Sequence, residues 1–114
     1  MDIDVNVLKN IYSAIVFAYG AESERSLGLE NEDNIKGIYS ARAFVNWYNG
    51  TLGYEKMDIN FENVENIVII GNGNVAIDVS RILLKDLDIL KQTDIPDNVL
   101  QKLEHKKIKN VYNF

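Results

Sequence analysis

Apolar and polar positions alternate at the start of the chain, where Ile3, Val5 and Val7 are separated by polar residues. A spacing of two predicts a short strand or edge ribbon there. Leu8, Ile11 and Tyr12 then move to helical spacing for about one turn. From Ala14 to Tyr19 the chain is unbroken apolar sequence, rich in β-branched and aromatic residues, and it ends at Gly20. Such a run predicts a strand buried on both faces, the kind found in parallel sheets, with Tyr12 and Tyr19 in the core.

Residues 21–36 are polar and punctuated by Gly28, Asn31 and Asn34, which predicts a long loop that is functional or packed against another surface. Ser40 has the chemistry of an N-cap. The helix it opens carries Ala41, Phe44, Val45 and Tyr48 as an apolar stripe, with Trp47 beside it, and Asn49-Gly50 suits its end. Residues 51–65 carry little regular signal. Asn66-Ile67-Val68-Ile69-Ile70 reads as a second buried strand and runs straight into Gly71-Asn72-Gly73-Asn74-Val75-Ala76. From Asn74 to about Lys85 the spacing is helical, with Val75, Val79, Ile82 and Leu83 on one face. A further helix is expected after Thr93 or Asp94 as cap, with Pro96 in its first turn and Val99, Leu100 and Leu103 as its apolar face. Ile108 to Tyr112 reads as a strand.

The order from Asn66 onward is strand, glycine turn, helix, helix, strand. That is the first half of a mononucleotide-binding unit and predicts an α/β fold, Rossmann-like, with a parallel sheet flanked by helices.

Composition narrows the function classes. The chain has 114 residues, enough for one modest core, with 46% hydrophobic and 25% charged residues. Its net charge of −5 argues against nucleic acid, which needs a basic face. With no cysteine, the sequence has no disulfide, thiolate metal site or redox thiol pair. The longest apolar run is far short of a membrane span, and the first residues lack the pattern of a secretory signal.

The glycine turn carries the chemistry. Gly71 permits a sharp exit from the strand, and Gly73 presents bare backbone that a pyrophosphate can approach. Ala76 lets the helix sit close to the sheet, and the first helical N–H groups, around Asn74 and Val75, face the ligand's charge with the helix dipole behind them. A tight strand-to-helix turn that binds nothing is the bland alternative. Asp78 and Arg81, three apart, read as a surface ion pair; Asp78 would repel a pyrophosphate and is not assigned as a ligand. The residue that reads the adenosine ribose normally lies about twenty or more positions beyond the glycines, at the end of the next strand. In this chain that strand ends at Phe114, so local residues leave NAD and NADP open. His105, the only histidine, reads as solvated, Trp47 with Phe44 and Tyr48 as core more than as a stacking platform, and Glu30-Asn31-Glu32-Asp33 as a solvated loop without metal-site spacing.

The segments AIVFAYGAE, YSARAFVNWYNG, GNGNVAIDVSRILL and KQTDI, in this order and at these separations, closely resemble the adrenodoxin reductase family and its ferredoxin–NADP reductase relatives. The resemblance covers nearly the whole chain. It implies a two-domain flavoprotein whose FAD domain is interrupted by an NADPH domain. The implied reaction is hydride transfer from NADPH to FAD, followed by single electrons to an iron–sulfur ferredoxin such as adrenodoxin. By this resemblance Gly71, Asn72, Gly73, Asn74 and Val75 hold the NADPH pyrophosphate. Tyr19-Gly20-Ala21 marks the crossover from the FAD domain, Trp47 to Gly50 lie near the domain junction, and no residue is assigned to flavin chemistry or catalysis. Residues 1–20 then correspond to the end of the FAD region, 21–65 to a connecting loop and helix, and 66–114 to the first part of the NADPH domain. The family's glycine-rich FAD turn, its Gly-Arg-Arg segment for the 2′-phosphate and its C-terminal flavin segment find no counterpart here. The expectation is therefore an internal piece of a reductase, inactive and weakly binding by itself, self-associating or needing a partner, with a mitochondrial or related location in eukaryotes. A non-catalytic dinucleotide-binding or regulatory module remains the alternative, and an interaction domain without ligand a third.

Overall fold

The computed structural model describes residues 3–18, 20 and 26–114. The element order is α1 (Val5–Ile11), a 3-10 turn (Glu32–Asn34), α2 (Ala41–Tyr48), β1 (Asn66–Ile69), α3 (Asn74–Leu84), α4 (Leu87–Leu90), α5 (Asp97–Glu104) and β2 (Asn110–Asn113).

The strands β1 and β2 pair in parallel, Asn66 opposite Asn110 and Ile69 opposite Asn113. Parallel neighbours require a crossover, and here it is the α3–α4–α5 segment. The ladder runs past the strand ends: Phe114 N–H donates to Ile69 C=O at 3.0 Å, and Gly71 N–H to Phe114 C=O at 2.6 Å. Its alternation divides the sheet. Ile67, Ile69 and Val111 belong to the core, while Val68, Ile70, Tyr112 and Phe114 are exposed.

The core gathers Phe44, Trp47 and Tyr48 from α2, Ile59 and Phe61 from the connection, Ile69, the inward face of α3, Leu90, and Val99 and Leu103 of α5. On α3 the buried residues are Ala76, Val79, Ile82 and Leu83, the spacing of a helix with one apolar face. Ala76 takes the inward place in the first turn, and Val75, expected on that face, is exposed. Trp47 is the most deeply buried aromatic ring at 1% exposure, packed at a tilt against Phe44 and Phe61 with centroids 5.4 and 6.2 Å away. Its cluster is core, as the sequence favoured.

Helix α2 starts and stops as its sequence dictates. Ser40 Oγ accepts from Ala43 N–H at 3.0 Å. At the other end Gly50 N–H donates to Trp47 C=O and Thr51 N–H to Asn46 C=O, with Gly50 at φ +67°. This is a Schellman ending, which needs a left-handed residue at that place.

At the N-terminus the helical turn expected at Leu8 and Ile11 forms as part of α1, but the expected ribbon and buried strand do not hold. Residues 3–7 contain no ribbon: Asp4 accepts from Asn6 N–H and caps α1, so helical spacing at Val7, Leu8 and Ile11 prevails over the apparent alternation. No strand forms among the described residues of 13–19, and Val16, Phe17 and Tyr12 are exposed. A buried strand needs a ladder partner and two covering faces, and the sheet offers this run neither. Tyr19 and residues 21–25, which include most of the expected crossover, lie outside the described residues.

The acidic loop is ordered around one carboxylate. Glu32 accepts from Ser26 Oγ at 2.8 Å and from the N–H groups of Leu27, Gly28 and Leu29 at 3.1, 2.9 and 3.3 Å. The Ser26 hydroxyl, followed by these backbone donors, holds the Glu32 carboxyl below its ordinary value of 4.5. A value lower in the folded chain than in the unfolded one means that the bonds are kept above the unfolded value. They are lost as pH falls through the folded value. The amide resonances of Leu27, Gly28 and Leu29 are thus expected to titrate together with a midpoint below 4.5. A midpoint at or above it, or three unrelated curves, contradicts this account.

Candidate cofactor site

Strand β1 ends at Ile69 and the chain turns through Ile70 to Gly73 into α3. The two glycines of this turn differ physically. Gly71 has φ +126°, a region closed to most L-residues, so the backbone itself requires glycine there. Gly73 is the N-cap of α3 with φ −81° and ψ 178°, ordinary extended geometry open to any residue. A Cβ placed on Gly73 meets no heavy atom within 4 Å. Nothing in the fold asks for glycine at this position.

No side chain caps α3, because Gly73 has none to offer. The first intrahelical bond to Gly73 C=O comes from Ile77 N–H at 3.2 Å. The N–H groups of Asn74, Val75 and Ala76 therefore point out of the helix start without intrahelical acceptors, and the positive end of the helix dipole coincides with them. Asn72, Gly73, Asn74 and Val75 are exposed, and Gly71 is half-buried. The turn thus holds all five residues expected from the sequence in one short, largely exposed segment that ends in uncapped N–H donors. This donor set fits a diphosphate, which presents only acceptor oxygens and negative charge.

Behind the turn, α2 and α3 are tied by polar contacts that spacing along a single helix could not reveal. Arg81 Nη2 pairs with Asp78 Oδ1 at 2.9 Å, as expected, and Tyr48 Oη, from α2, donates to Asp78 Oδ2 at 3.3 Å. Burial, and next the Asp78 charge, pushes the Tyr48 hydroxyl above its ordinary value. Ser80 Oγ bridges Ala76 C=O and the Asn113 side chain, fixing α3 to the end of β2. His105 is exposed, beside a shallow cleft of about 260 Å³ lined by Asp58, Glu62 and Lys102 among others. No His, Asp or Glu cluster able to hold a metal occurs among the described residues.

The chain is similar to known proteins along nearly its whole length. The mitochondrial NADPH:adrenodoxin oxidoreductase of Arabidopsis thaliana is 43% identical over 111 residues, covering 97% of this chain and 23% of that protein. The bovine (Bos taurus) protein of the same name is 40% identical, with 97% and 22% covered. FprA of Mycobacterium tuberculosis, solved in complex with NADPH, superposes with a TM-score of 0.76 at 39% identity, over 97% of this chain and 24% of that one. Over the stretch it spans, the chain belongs to the adrenodoxin reductase family. No family model matches it. The chain spans about a quarter of the length of these relatives. The adrenodoxin reductase likeness also settles the fold class as α/β and Rossmann-like, seen here as one parallel β1–β2 pair with its crossover helices.

Proposed function

We propose that this chain supplies the NADPH-pyrophosphate turn of an NADPH–ferredoxin reductase, an oxidoreductase in which hydride passes from NADPH to FAD and single electrons then go to a ferredoxin of the adrenodoxin kind. The observation that carries the reading is Gly73: the fold leaves it free to be any residue, yet it is glycine in front of uncapped helical N–H groups. A diphosphate approaching that backbone gives the missing side chain a reason. Gly71 shapes the turn, and Asn72, Gly73, Asn74 and Val75 face the anion. Bound NADPH supplies the hydride; the residues of this chain bind and orient it. Flavin binding is assigned to no residue here. The names of the relatives support a mitochondrial location.

The test is titration of NADPH into the full chain, read by amide NMR. Shifts confined to Gly71, Asn72, Gly73, Asn74 and Val75 are expected, with weak affinity, since only the diphosphate is grasped by this turn. Shifts elsewhere with none at the turn, at millimolar NADPH, would falsify the reading.

A further inference from the structure

Asp78 stands where a negative charge does harm. It lies four residues after Asn74, hence on the same helix face about 6 Å further along the axis. In a helix the Cα–Cβ bond tilts toward the N-terminus, so the carboxylate of Asp78 leans toward the anion-facing end. Its side chain is half exposed, at 50%. Two groups act on it. Arg81 grips Oδ1 at 2.9 Å from the C-terminal side, and Tyr48, buried to 4% exposure on α2, donates to Oδ2 at 3.3 Å. One cancels the charge and draws it down the helix; the other holds it sideways against α2.

We propose that Arg81 and Tyr48 form a charge shield that keeps the Asp78 carboxylate from opposing the diphosphate at the glycine turn, which makes both of them positioning residues. The inference rests on the diphosphate reading of that turn. The alternative use of such a pair is stability, but an exposed ion pair contributes only about 0–1 kcal/mol. Its field reaches further than that contribution suggests, because the turn lies within about one Debye length of Asp78 at physiological salt.

The experiment measures the dissociation constant of NADPH for the full chain and its variants from turn amide shifts, at low and high ionic strength. In Arg81→Gln it is expected to rise about fourfold at low salt, the effect of one unmasked charge about 10 Å from a dianionic diphosphate in water-like surroundings. The increase should vanish in about 0.5 M salt. Adding Asp78→Asn to Arg81→Gln should restore the original affinity, and Tyr48→Phe should give a smaller loss of the same salt dependence. A loss in Arg81→Gln that survives high salt and is not restored by Asp78→Asn overturns the shield in favour of a structural role. Unchanged affinity in Arg81→Gln, with binding abolished in Gly73→Val, overturns it too and leaves the diphosphate reading standing. Unchanged affinity in Gly73→Val removes that reading and the shield with it.

Discussion

Gly50→Ala is expected to lower the unfolding free energy of the chain by about 2–5 kcal/mol, the sum of a backbone cost and a packing cost. Gly50 sits at φ +67°, where an L-residue costs roughly 1–2 kcal/mol. A Cβ there also falls 2.7 Å from Pro96 Cγ, inside van der Waals contact. Pro96 is the N-cap of α5, whose ring cannot swing aside as a flexible side chain would, and overpacking of this kind costs about 1–3 kcal/mol. Against a typical total of about 5–15 kcal/mol, this is a large fraction. The consequence reaches the cofactor turn, because Gly50 locks the end of α2 against the start of α5, and α2 packs on α3 through the shared core. Urea unfolding measures it through the midpoint at constant slope. Adding Pro96→Ala should return the packing share and leave the backbone share. A midpoint change equivalent to less than about 0.5 kcal/mol, the scatter of ordinary surface substitutions, contradicts the argument.

The parts of the fold that the sequence foretold are those where several local signals agree. From Asn66 to Leu84 a β-branched strand, two glycines and an amphipathic helix point to one unit, and β1, the turn and α3 follow. Ser40 and Gly50 likewise announced both ends of α2. The run after Tyr12 shows the opposite case. Its composition speaks for a strand, but a strand is a relation to neighbours, and no neighbour is written into residues 14–18 themselves. Helix α4 went unseen because four residues, Leu87–Leu90, are too few to display a period; only Asp86, whose carboxylate accepts from Asp88 N–H, signalled it. Around the turn, the passage from strand to helix through Gly71 to Asn74 was legible and Asp78–Arg81 was foreseen as a pair. The Tyr48 contact was not, since it joins residues 30 apart whose meeting depends on how α2 packs against α3.

The glycine turn yields the sharpest functional contrast, because its two glycines are glycine for different reasons. Gly73→Val is expected to leave the fold nearly intact. The position has ordinary dihedral angles and open space, so the loss is confined to replacing a tolerated N-cap by a poor one, about 1 kcal/mol. NADPH binding should fall at least about tenfold, since branched carbon then occupies the approach to the bare N–H groups and displaces charge-assisted hydrogen bonds worth about 1.5–3 kcal/mol each. In a flavin-loaded reductase carrying this segment, the NADPH KM should rise while bound flavin, read from its visible absorbance, is unchanged. Gly71→Ala should do the reverse in the first instance. At φ +126° the new side chain strains the backbone by about 1–3 kcal/mol, so its melting point falls before any question of ligand arises. If both variants lose stability alike and bind NADPH as the parent does, the turn is merely a strand-to-helix connection. If stability drops in one and affinity in the other, the second glycine is held open for the cofactor.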